Sequence, residues 1–129
     1  MCGNCQKQSH DLWAIGPPYP KWETVKSVGF VELVKCPECG QLWVESYYEP
    51  FAAFRYAIKW PADIETFSKM NAIDDGKTLC RWHEAEIRIK AKDADEQTLN
   101  YIQAHYRRSS GHVNLTPSDE PNPVKINDT

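Results

Sequence analysis

Cys36-Pro37-Glu38-Cys39-Gly40 constrains this chain more than any other stretch. Two cysteines separated by two residues can aim both thiolates at one tetrahedral metal ion. Pro37 holds its own φ, and Gly40 accepts the positive φ that a tight turn needs. Such a turn directs backbone N–H groups at the sulfur of Cys36, the outer support that metal-bound sulfur needs. A second pair with the same spacing, Cys2-Gly3-Asn4-Cys5, stands at the start of the sequence. Together they predict one zinc ion held by Cys2, Cys5, Cys36 and Cys39. Four thiolates leave no position for water or substrate, so the expected zinc is structural and not catalytic.

Thirty residues separate Cys5 from Cys36, enough for a Pro-rich excursion and a returning strand. The length of 129 residues fits one domain that buries about two-thirds of its unfolded surface. Zinc is then the anchor of one end and not the whole core. Competing readings of the cysteines are two disulfides or a redox CxxC. An odd fifth cysteine and the lack of any signal-peptide pattern at residue 1 favour metal ligation in a reducing cytoplasm. No stretch approaches the ~20 apolar residues of a membrane span. The formal charge is −3 with thiols neutral. Four thiolates add −4 and Zn2+ adds +2, which brings the holo-protein near −5. That balance argues against general affinity for a polyanion.

The residue pattern after the first knuckle predicts an irregular Gln6–Trp22, with Gly16-Pro17-Pro18-Tyr19-Pro20 extended. Thr24–Lys35 is rich in β-branched residues and reads as one strand with a bulge at Gly29. Gln41–Tyr48 reads as a second strand. Phe51–Trp60 reads as a third, with Phe54, Tyr56, Ile58 and Trp60 on one face and Ala53, Arg55, Ala57 and Lys59 on the other. Pro61 opens a helix in which Ile64 and Phe67 face inward. Lys77–Lys92 carries two patterns at once. Leu79, Trp82, Glu86 and Ile89 form a helical stripe, whereas residues 85–92 alternate like a strand; helix-forming composition decides for helix. A last helix is expected from Asp93 or Asp95 to about Arg108, and three prolines from Thr116 onward predict a loosely ordered tail.

Other chemistry is thinly represented. His10 is a substitute ligand for one of the cysteines. Cys80 and His83 lie one helical turn apart, close enough for a second metal or a nucleophile pair, but packing and surface roles are the expected ones. His83-Glu84 does not continue into HExxH, and no phosphate-binding glycine loop is present, so an enzyme is not expected. Arg81, Arg88, Lys90, Lys92, Arg107 and Arg108 read as a solvated helix face balanced by acids, with a nucleic-acid patch as the alternative. Five tryptophans and six tyrosines exceed what one small core needs. Trp13, Tyr19, Trp22, Tyr47 and Tyr48 are therefore the candidate partner-binding surface.

The Cys-Pro-Glu-Cys-Gly knuckle followed by Gln41-Leu42-Trp43 resembles the zinc-ribbon group, whose members bind nucleic acid or protein. The likeness covers residues 1–60 and implies the metal. The whole layout also resembles immunity proteins made beside bacterial polymorphic toxins, which block a toxin domain by binding it. The expected fold is α+β: a zinc-anchored antiparallel ribbon sheet with two or three packed helices. Residues 1–115 are expected to form one domain, its ribbon spanning 1–60 and its helices 61–110, followed by a tail over 116–129. The expected function is a non-catalytic, cytoplasmic protein-binding module, with a nucleic-acid-binding or transcription-associated ribbon as the alternative.

Overall fold

The computed structural model describes residues 12–15, 20–28, 31–46, 55–93, 96, 100 and 119–126. Five strands form one antiparallel sheet: β1 (Leu12–Ile15), β2 (Glu23–Val28), β3 (Val31–Lys35), β4 (Leu42–Ser46) and β5 (Arg55–Lys59). Their spatial order is β1-β5-β4-β3-β2. β2 to β5 are thus a meander, and β1 closes the far side against β5. Helices α1 (Ile64–Asp74) and α2 (Lys77–Lys90) follow, and a short 3-10 turn, Ala91–Asp93, ends α2. The fold is α+β.

Strand alternation builds the core. Leu12, Ile58, Val44 and Leu33 stand side by side on four neighbouring strands, all fully or almost fully buried. Phe67 and Met70 of α1 and Leu79, Trp82 and Ile87 of α2 close over them. Trp60, just past β5, joins the layers. Its ring stands edge-on to Phe67 at 5.4 Å and to Trp82 at 5.1 Å, geometry that the ring quadrupoles favour. Its indole N–H donates to the Asp63 carbonyl at 2.8 Å, so the buried polar atom is satisfied.

Within the described residues the expected faces of β5 hold: Tyr56, Ile58 and Trp60 lie in the helix-side core, and Ala57 lies on the opposite side with Val34 and Trp43, while Phe54 and Ala53 lie outside the described residues. Two strand expectations need correction. Thr24–Lys35 is not one strand but two, because Val28 pairs with Val31 across an antiparallel hairpin. A register shift lies between Thr24 and Lys26, and Gly29, where the bulge is expected, lies outside the described residues. β-branched richness marks extended backbone but does not say where it folds back. Leu12–Ile15 is a strand inside the stretch expected to be irregular. Four residues carry little periodicity of their own, and pairing with β5 makes the strand.

Helix α1 starts later than Pro61 suggested. Asp63 is its cap: Oδ1 accepts from the Thr66 backbone N–H at 2.8 Å and from Thr66 Oγ1 at 2.6 Å. Those bonds hold the Asp63 carboxyl below its ordinary range. Asp75 (φ 55°) and Gly76 (φ 84°) break the helix in left-handed conformations. Gly76 is the N-cap of α2 and has no side chain to bond, while Asp74 at the end of α1 accepts from Thr78 N at 2.9 Å and Thr78 Oγ1 at 2.7 Å across the junction. Residues 85–90 are helical, so the helix composition and not the short alternation governs this stretch. The buried stripe is Leu79, Trp82, His83 and Ile87, while Glu86 and Ile89 are only half-buried. Of the expected last helix, Glu96 and Asn100 are helical and the rest lies outside the described residues. A stretch of the expected loose tail is anchored, since Val124 and Ile126 pack on the core.

Candidate metal centre

The Cys36–Gly40 turn closes the β3–β4 hairpin. Cys36 N–H donates to the Gln41 carbonyl at 3.0 Å, and Gly40 N–H donates back to the Cys36 carbonyl at 2.8 Å. Cys36 is fully buried at the end of β3, whereas Cys39 stands exposed on the turn. Gly40 has φ +78°, and a Cβ placed on it would meet nothing nearer than Lys35 Cε at 4.0 Å. Backbone conformation therefore selects glycine here, not lack of space. Gly40→Ala should destabilise the protein by about 1–2 kcal/mol, read as a lower urea midpoint at unchanged slope. Gly40→Asn should lose less; equal midpoints for all three proteins would mean that the turn does not need this φ.

Cys2 and Cys5, with His10, lie outside the described residues. Among the described residues, no group of three or more His, Cys, Asp or Glu side chains is placed to hold a metal. Strand direction nevertheless bears on the other pair. β1 runs antiparallel to β5 with Leu12 opposite Ile58, so the chain enters the sheet at the end of β5. That end adjoins the start of β4, where Trp60 N–H donates to the Leu42 carbonyl at 3.0 Å. The Cys36–Gly40 turn is the loop that leads into β4. The entry to β1 and the cysteine turn therefore share one end of the sheet. β1 and β3 are three strand spacings apart, roughly 14 Å. Cys5 precedes Leu12 by seven residues, a length that spans up to about 23 Å. The chain length from Cys5 to Leu12 thus exceeds the lateral distance between β1 and β3.

His83 belongs neither to that end of the sheet nor to the surface. It is fully buried, and its Nε2 lies 3.0 Å from the Val44 carbonyl and 2.9 Å from the Tyr56 carbonyl. Carbonyls only accept, so Nε2 carries the proton and donates to both. Burial pushes the pKa down to about 4, with the two carbonyl bonds opposing that shift. The ring is a neutral tie between α2 and the β4–β5 pair, and Cys80 nearby is half-buried against the core. The packing role expected for His83 holds, and the surface role does not. Its position four residues after Leu79 and four before Ile87 is the signal that puts it on the inner stripe.

On the sheet face away from the helices, Trp22 stacks on Trp43 with ring centroids 5.4 Å apart and planes 17° from parallel. Lys59 Nζ sits 5.7 Å from the Trp43 ring centre. Beside them, Arg55 binds Glu45 at 3.1 Å. Burial pushes the Glu45 carboxyl above its ordinary range; Arg55 opposes the shift, and the neighbouring Glu32 adds to it. Of the five candidate partner-binding aromatics, Trp22 alone has a described side chain, and it is half-buried. Trp13 contributes its backbone to β1, while Tyr19, Tyr47 and Tyr48 lie outside the described residues. Several basic residues of the α2 region face acids: Arg81 meets Asp74 at 3.6 Å, Lys90 meets Glu86 at 3.6 Å, and Lys92 pairs with Asp119.

No described helix is long and apolar enough to cross a membrane. No family model, curated protein or solved structure matches this chain.

Proposed function

We propose that this chain is a non-catalytic protein-binding module whose sheet is anchored at one end by a structural zinc ion, held by Cys2, Cys5, Cys36 and Cys39. The observation that carries the reading is the shared end of the sheet, where the entry to β1 meets the cysteine turn. Four thiolates close the coordination sphere, so the ion organises the fold and offers no site for a reaction.

A protein partner is favoured over a nucleic acid by charge. The net charge is negative, and Arg81, Lys90 and Lys92 each face a carboxylate, which reduces what α2 offers a polyanion. The partner surface is centred on Trp22, half-buried where it covers the buried Trp43 on the sheet face away from the helices. Glu45, otherwise a natural contributor, is buried against Arg55 and belongs to the fold. The net negative charge suits a basic partner, and the narrower class is an immunity protein that neutralises a toxin acting on nucleic acid.

The test is capture of partners from the native host on the zinc-loaded chain, followed by salt titration. A basic protein should be recovered, and Trp22→Ala should weaken that complex by ~2 kcal/mol or more. Zinc content should stay unchanged in the variant. Tight RNA or DNA binding that falls steeply with salt, abolished by neutralising Arg88, Lys90 and Lys92 and with no protein recovered, would overturn the reading.

A further inference from the structure

Segment 119–126 packs on α2 as a bent strap that turns at Pro123 and Val124. Asn122, Val124 and Ile126 are half-buried, while Pro121, Pro123 and Lys125 between them are exposed. Asn122 makes the specific contacts. Its Nδ2 donates to the Trp82 carbonyl at 3.1 Å and to Glu86 Oε2 at 3.0 Å. Its Oδ1 accepts from the Val124 backbone N–H at 2.9 Å, which sets the course of the segment itself. Two and four residues further on, Val124 and Ile126 pack against the cluster that contains Leu79, Trp82 and Ile87. Lys92 pairs with Asp119 where the segment arrives.

A polar side chain that fixes register, with apolar side chains filling the surface beside it, gives peptide recognition both specificity and affinity. Pro121 and Pro123 restrict φ and cannot extend a helix, so less ordering entropy is lost on docking. None of the contacts requires the segment to come from the same chain. Residues 94–118 lie between Asp93 and Asp119 in sequence, a length that lets the segment leave one site and reach another. We propose that the Trp82–Glu86 stretch of α2 is a docking site for a turned segment of the pattern Asn-x-apolar-x-apolar, filled in cis by residues 119–126 and filled in trans by the same segment of a second copy. Linkage within one chain gives the cis segment a millimolar-order effective concentration, so the closed monomer dominates at micromolar protein. Weakening the cis segment opens the site. The inference is independent of the metal and partner readings above.

A fluorescently labelled synthetic peptide spanning residues 117–129 tests it against full-length hosts. Asn122→Ala and Ile126→Asp each weaken the cis segment and leave α2 intact. The peptide should bind both variants at least tenfold more tightly than the wild-type chain, and a peptide carrying Asn122→Ala should lose that advantage. Equal binding to wild type and variants would overturn the proposal. So would no binding to variants that melt cooperatively and are folded by circular dichroism. If a variant unfolds, adding the wild-type peptide should restore its cooperative melt; failure to do so identifies the segment as fixed core and ends the proposal.

Discussion

Chelating the metal from the reduced protein should lower its stability by several kcal/mol, because structural zinc binding is coupled to folding. Elemental analysis of purified protein should find about one zinc per chain. Cys36→Ser and Cys39→Ser should both lose stoichiometric zinc. The Cys36 variant should be the more damaging, since that side chain is fully buried at the end of β3 while Cys39 is exposed. Cys80→Ser should retain zinc and change stability little, because Cys80 packs at the edge of the core. The order of effects is the check. A Cys80 variant that loses metal as readily as the Cys39 variant, or a reduced wild-type protein without zinc, would refute the ligand set.

Acidification should destabilise the fold through His83. The folded pKa is about 4, against 6.5 for the ring in the unfolded chain. The unfolded state therefore binds the proton more readily, and stability rises with pH between these values. The contribution is fully present above pH 6.5, declines as pH falls, and levels off below about 4. At about 1.4 kcal/mol per pKa unit the loss is on the order of 3 kcal/mol. Carboxylates, and the thiolates of the proposed zinc site, also titrate on the acid side, so the useful quantity is a difference between two proteins. His83→Gln keeps an N–H donor near the Val44 and Tyr56 carbonyls and removes the titration. Urea titrations from about pH 7.5 to about pH 4 should show wild type losing on the order of 3 kcal/mol more than His83→Gln. Parallel curves would mean that the buried ring does not control acid stability.

Features legible in the amino-acid order alone are local ones. Cys36-Pro37-Glu38-Cys39-Gly40 prescribes a turn because proline and glycine restrict or permit φ whatever surrounds them, and the turn forms as expected with Gly40 at φ +78°. The two faces of β5 were readable because side chains alternate across any strand. α2 was readable because fourteen residues of helix-forming composition outweigh a short alternation. Everything that depends on a distant partner waited for the folded chain. Leu12–Ile15 becomes a strand only beside β5, and the hairpin within 24–35 is defined by which residues pair. His83 is a buried neutral donor because carbonyls from two strands converge on it, from residues 27 and 39 positions away in sequence. Asn122 reads as a tail residue until Trp82 and Glu86, 40 and 36 residues earlier, are brought against it. Local φ preference and alternation are written residue by residue, whereas burial and pairing belong to surfaces that exist only once the chain has folded.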